Sequence, residues 1–203
     1  MPIKNLFSSE TITAMASRLV VPRGFRAAGV AAGIKKKPNV LDMAMVKSDV
    51  PCATAAVFTQ NSFQAAPVRA SRDLLTRLGN AGISSVVINS GCANACTADR
   101  GLADARRTQD VMRSHDLGES LVMSTGVIGP FLPMAKIEAG IGALAKKLSP
   151  DGFSDASKAI MTTDTVPKLY GAEFEGINGG ERFSMLGMAK GAGMIHPNVA
   201  TML

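Results

Sequence analysis

The chain has 203 residues, 46 % of them apolar and 19 % charged, and a net charge of +6; this length can bury a core, and this balance excludes a disordered polymer. The cations are scattered apart from Lys35-Lys36-Lys37, and aromatic residues are few, which argues against a nucleic-acid surface. No stretch reaches the roughly 18 apolar residues of a membrane helix, and three cysteines without a secretory signal pattern point to a reducing compartment.

In chain order, residues 1–26 carry Lys4, Arg18, Arg23 and Arg26 against Glu10 alone, with several Ser and Thr. That is the pattern of a mitochondrial presequence, and a polar N-terminal extension shares it. The extension is assigned to residues 1–22. Lys35-Lys36-Lys37, followed by Pro38, reads as a solvated loop. Val40–Val46 alternates and reads as a strand; Cys52–Thr59, after Pro51, reads as a second. Ala70–Leu78 has helical spacing, a Ser cap candidate, and Gly79-Asn80 as a stop. Ser84–Asn89 is a short buried strand, Leu102–Ser114 an amphipathic helix, and Ser120–Ser124 another strand. Pro133–Leu148 starts with proline and ends in lysines, as a helix with its dipole prefers. Ser154–Thr163 is a short helix, and Lys168–Gly176 with Arg182–Ala189 forms a hairpin around Asn178-Gly179-Gly180. There is no internal repeat and no long linker, so residues 23–200 form one α/β domain.

The chemistry-bearing residues lie between these elements. Thr125 and Gly126, in "MSTGVIGP", follow a strand. Gly126 and Gly129 allow close backbone approach, and successive N–H groups there can make an anion pocket or oxyanion hole. A plain turn gives the same pattern. "TTDT", Thr162 to Thr165, offers three hydroxyls and a carboxylate; it suits an amino acid's polar ends and equally a helix cap. In "KGAGMIHPNVATML", Lys190 is a cation beside Gly191 and Gly193. Thr201 follows the small Ala200, so its hydroxyl can attack the preceding carbonyl. A threonine freed at its amino group would carry both nucleophile and base, the base having a pKa of about 8. A simple helix start also fits that segment. Cys92 and Cys96 read as small buried hydrophobes rather than a metal or redox pair. His115 and His196 lie far apart, without a carboxylate–histidine cluster, and imply no metal.

Six stretches, in order, resemble the ornithine acetyltransferase family, the bifunctional glutamate N-acetyltransferases of arginine biosynthesis. They are "GFRAAGVAAGIK" (24–35), "AAVFTQNSFQAAPV" (55–68), "VVINSGCANACTADRGLADA" (86–105), "LVMSTGVIG" (121–129), "AIMTTDTVPK" (159–168) and "MAKGAGMIHPNVATML" (188–203). The resemblance implies a layered αββα-type sandwich and a precursor that cuts itself at Ala200–Thr201. Thr201 is then the N-terminal nucleophile and residues 201–203 the first of a β chain. It implies a ping-pong cycle in which Thr201 takes acetyl from N-acetylornithine and passes it to glutamate, with acetyl-CoA as a further donor in some members and no cofactor. Thr125 and Gly126 match the oxyanion-hole pair. Lys190 and either Thr162 or Thr163 match substrate-binding positions. The partners implied are the β chain, in an (αβ)2 or larger oligomer, and the small-molecule substrates; neither nucleic acid nor membrane is implied. The compartment implied is the mitochondrial matrix for a fungal chain and the cytoplasm for a bacterial one. A self-processing aminopeptidase-like hydrolase, and a half that acts only by association, are the alternative readings.

Overall fold

The computed structural model describes residues 19–79, 81–175, 181–191 and 202–203. Most of the 1–22 extension, the Asn178-Gly179-Gly180 turn and the Ala200–Thr201 bond lie outside the described residues.

Four strands form the main sheet: β1 (Phe25–Val30), β2 (Met43–Cys52), β3 (Ile83–Cys92) and β4 (Glu119–Val127), in that spatial order. The pairs β1–β2 and β2–β3 are antiparallel, and β3–β4 is parallel. A parallel pair needs a crossover, and helix α2 (Ala98–Ser114) supplies it. The remaining helices are α1 (Ala66–Leu78), α3 (Met134–Lys147) and the short α4 (Phe153–Ala159). Strands β5 (Lys168–Glu175) and β6 (Arg182–Ala189) pair antiparallel as a separate two-stranded sheet.

Side-chain alternation along the strands separates two faces. Ala28, Val30, Met43, Met45, Val87 and Val122 point to one side, where Ala70, Met112, Ile137, Ile141 and Leu144 of α1–α3 meet them. Ile137, Ile141 and Leu144 recur at the spacing of one helix face, which is why α3 lies flat on the sheet. Ala27, Ala44 and Ile88 point the other way, against Phe153, Ala156 and Ala159 of α4 and against Leu169, Leu186 and Met188 of the hairpin. The layers therefore run helices, sheet, then α4 with the hairpin. This is the layered α/β architecture that the resemblance implies.

Several expectations change. The strand expected at Cys52–Thr59 is absent: residues 53–61 have no regular structure. The β2–β3 register shifts between Lys47 and Cys52 and the pairing ends at Cys52–Ile83, so residues beyond Cys52 have no strand to bond. β2 instead reaches from Met43 to Cys52, later than Val40–Val46. The proposed serine cap is not a cap. Helix α1 starts at Ala66, and buried Ser71 sits inside it, donating to Val122 O (2.9 Å) and accepting from Val122 N–H (3.0 Å). Its C-terminal stop holds: Gly79 is left-handed (φ 62°) and donates to Leu75 O. β1 had no sequence signal, and α4 ends at Ala159 rather than Thr163.

Candidate active site

The parallel strands β3 and β4 end side by side, with Ser90 beside Thr125 and Gly91 beside Gly126. Both glycines have positive φ, 108° and 132°. A Cβ on Gly126 would strike the Gly91 carbonyl carbon and, at 2.7 Å, the Cys92 nitrogen. Only glycine lets these two backbones approach so closely at the open end of the sheet. The segments beyond are laced together: Ala93 N–H donates to Val127 O (2.9 Å) and Gly129 N–H to Ala95 O (3.0 Å). Behind them Asn89, buried, donates to Cys92 O (2.8 Å) and accepts from Ser124 Oγ (2.6 Å). Ser90 Oγ, fully buried, donates to Ala159 O at 2.5 Å and so fixes the end of α4.

On this platform three sequence-predicted residues meet. Lys190, directly after β6, is 5 % exposed. Its Nζ donates to Thr125 Oγ1 (2.8 Å) and to Thr162 Oγ1 (3.2 Å). Thr125 is half-buried and Gly126 exposed, so this end of β4 faces outward. Thr163, one residue on, is exposed; among the described residues it is Thr162 that meets Lys190. Burial pulls the Lys190 ammonium below the usual lysine range, the Asp164 charge acts to raise it, and Lys168 acts to lower it.

Asp164 was not singled out from the sequence, yet it organises this corner. Its side chain is 1 % exposed. It accepts from Lys168 Nζ (2.5 Å), Gly191 N–H (2.9 Å) and Thr162 N–H (3.2 Å). Burial alone would raise its carboxyl. The hydrogen bonds from Lys168, Gly191 and Thr162, with the Lys168 charge, outweigh that and hold it at about 2. The signal available was the carboxylate between hydroxyls in "TTDT". Lys190 N–H donates to Leu203 O (3.0 Å) and Leu203 N–H to Lys190 O (3.4 Å), so the two flanks of residues 191–202 are paired. Ala200 and Thr201 lie outside the described residues.

A second carboxylate was also missed. Asp42, fully buried, accepts from the N–H groups of Ala32 (2.6 Å), Ile34 (2.6 Å) and Lys35 (2.9 Å), wrapping the 31–35 loop beside Gly91. Lys35 is consequently half-buried and donates to Leu41 O (2.8 Å), so the lysine run is not wholly solvated. Cys92 is a buried hydrophobe, as expected, but Cys96 is exposed. A hollow of about 410 Å³ lies between Phe63, Arg69, Arg72 and Thr97, and none of Thr125, Thr162 or Lys190 lines it. The convergence of polar groups therefore marks the candidate site better than empty volume does. Among the described residues no group of three or more His, Cys, Asp or Glu side chains stands close enough to hold a metal, and no helix is long and apolar enough to cross a membrane.

The sequence pattern described as the ArgJ family matches residues 26–203. The chain is 50 % identical over 188 residues to the mitochondrial arginine biosynthesis bifunctional protein ArgJ of Sordaria macrospora, a match covering 90 % of this chain and 40 % of that one. It superposes on the crystal structure of the arginine biosynthesis bifunctional protein ArgJ of Bacillus halodurans with a TM-score of 0.78 and 37 % identity, covering 90 % of this chain and 92 % of the other. On ornithine acetyltransferase of Mycobacterium tuberculosis, solved in complex with ornithine, the TM-score is 0.77 with 41 % identity, covering 87 % and 93 %. The chain thus spans under half the length of the curated relative and nearly all of each solved chain.

Proposed function

The chain belongs to the ArgJ family, and on that premise we propose that it is one half of a self-processing enzyme that moves acetyl from N-acetylornithine to glutamate. The observation that carries the reading is the Lys190 ammonium, bridging Thr125 and Thr162 at the end of the parallel strands. A compact cation held by two hydroxyls suits an amino-acid carboxylate.

The cycle begins with the chain itself. The Thr201 hydroxyl attacks the Ala200 carbonyl and the C–N bond breaks, which frees the Thr201 amino group and leaves an ester; water then cleaves the ester to an Ala200 carboxylate and the free Thr201 hydroxyl. That amine then takes the Thr201 hydroxyl proton as the oxygen attacks the acetyl carbonyl of N-acetylornithine. The tetrahedral oxyanion is met by the Thr125 and Gly126 groups. Collapse breaks the C–N bond, the proton passes to the leaving amine, and ornithine departs. The amine of glutamate attacks the acetyl-threonine ester, giving N-acetylglutamate and restoring Thr201. Acetyl-CoA can acetylate the same Thr201 hydroxyl, with the CoA thiol leaving, and the cycle needs no cofactor.

The lengths support a divided precursor: the match covers 92 % of a solved relative but 40 % of a curated one. The partner is the second chain from the same precursor, in an (αβ)2 or larger assembly. The outer face of the hairpin supports this, because Phe183 and Met185 are 48 % and 61 % exposed there beside Tyr170. The compartment is the mitochondrial matrix, the reading supported by the name of the Sordaria relative and by the basic 1–26 stretch.

The test is the intact mass of the protein expressed from its complete gene, with N-terminal sequencing. Two chains are expected, the second beginning at Thr201, and Thr201→Ala should leave one uncut chain. Wild type should exchange label between ornithine and N-acetylornithine. A single uncut wild-type chain, or hydrolysis without exchange, overturns the reading.

A further inference from the structure

The carboxylate of Asp164 has three donors and no assigned part in the cycle above. It receives the main-chain N–H of Thr162 and that of Gly191, so one buried group joins the turn after α4 to the residue after Lys190. Those two segments are the ones whose side chains meet at Lys190 Nζ. The third donor, Lys168, begins β5 and is 43 % exposed. We propose that Asp164 is a positioning residue, holding the Lys190 ammonium against Thr125 and Thr162 by tying Thr162 and Gly191 to one carboxylate. This deepens the preceding reading and rests on it, because it assumes that Lys190 receives the substrate carboxylate.

The arrangement also governs when Lys190 is charged. From the 162–164 turn Asp164 faces it, and from the start of β5 Lys168 does; these are the charged groups acting on it among the described residues. Its Nζ donates to the hydroxyls of Thr125, on β4, and Thr162, on the 162–164 turn. Asp164 favours the ammonium and Lys168 disfavours it, so removing each should move the proton in opposite directions.

The experiment uses the complete protein and compares Asp164→Asn, Lys168→Met and Lys190→Met. The readouts are KM and kcat for N-acetylornithine, the pH profile of kcat/KM, and the fraction of precursor processed. Asp164→Asn should raise KM by about tenfold or more, the loss of hydrogen bonds to a charged group, with kcat much less changed. The alkaline limb of the profile, where Lys190 loses its proton, should move to lower pH in Asp164→Asn and to higher pH in Lys168→Met. A purely structural role would not produce opposed shifts. Limbs that stay at the wild-type pH in both variants, while Lys190→Met still raises KM strongly, overturn the positioning role alone. An unchanged KM in Lys190→Met overturns the carboxylate reading of that lysine, and the positioning role with it. If Asp164→Asn does not fold, Asp164→Ser decides: a raised KM with kcat retained supports the proposal and a wild-type KM overturns it.

Discussion

The two faces of the main sheet are filled with different side chains. Under α1–α3 lie Met43, Met45, Met112, Ile137, Ile141 and Leu144, all less than 2 % exposed. On the opposite face the most deeply buried apolar positions are Ala27, Ala44, Ala156 and Ala159, and beyond them the hairpin leaves Phe183 and Met185 exposed. The first face is closed by volume. The second is closed by close approach near α4 and is unfinished at the hairpin. Thr162, Asp164 and Lys190 all sit on the second side, where the separate β5–β6 hairpin begins and ends. The tightly packed frame and the proposed site, with its proposed docking face, are thus segregated onto opposite faces.

The largest effect should come from breaking the closed face. Leu144→Ala leaves a cavity under α3 and should cost about 2–5 kcal/mol in urea unfolding; a cost below 1 kcal/mol would mean that this face is no better packed than the other. Next, Gly29→Ala tests the close approach. A Cβ there would meet the Asp155 carbonyl of α4, and the overpacking should cost about 1–3 kcal/mol by the same measurement. The smallest effect should be Met185→Ser on the outer hairpin face. It should leave the stability of this chain alone within about 0.5 kcal/mol while weakening its association with the second chain in analytical ultracentrifugation. Equal association in Met185→Ser and wild type would sink the hairpin as the docking face.

This division explains what the sequence disclosed. The closed face is written in large apolar residues at helical spacing, so α2 and α3 are legible nearly to their ends: Leu102–Ser114 against Ala98–Ser114, and Pro133–Leu148 against Met134–Lys147. The hairpin strands were legible for a different reason, since glycine and asparagine punctuate the sequence between them. β1 was not, because "FRAAGV" has one β-branched residue, and its small side chains are there to admit α4. "CATAAVFT" failed in the other direction: its composition suits a strand, but strand formation needs a partner, and the β2–β3 ladder has already ended. At the site, Thr125, Thr162 and Lys190 stand out as residue types, and the motifs that carry them were legible. What joins them was not. Asp164 and Asp42 act through main-chain N–H groups that residue type does not reveal, and each becomes visible only once the fold brings those groups to it.

The pairing of Lys190 with Leu203 has a topological consequence. Residues 190–203 form a ring, covalent for most of its circumference and closed by two hydrogen bonds. A single scission within that ring opens it without detaching either end. What changes is molecularity: a closure that was intramolecular, with its high effective concentration, becomes one between two chains. If the Ala200–Thr201 bond is cut as proposed, the seam beside Lys190 would hold only as tightly as the surface the two pieces share, and the integrity of the site would become a function of protein concentration.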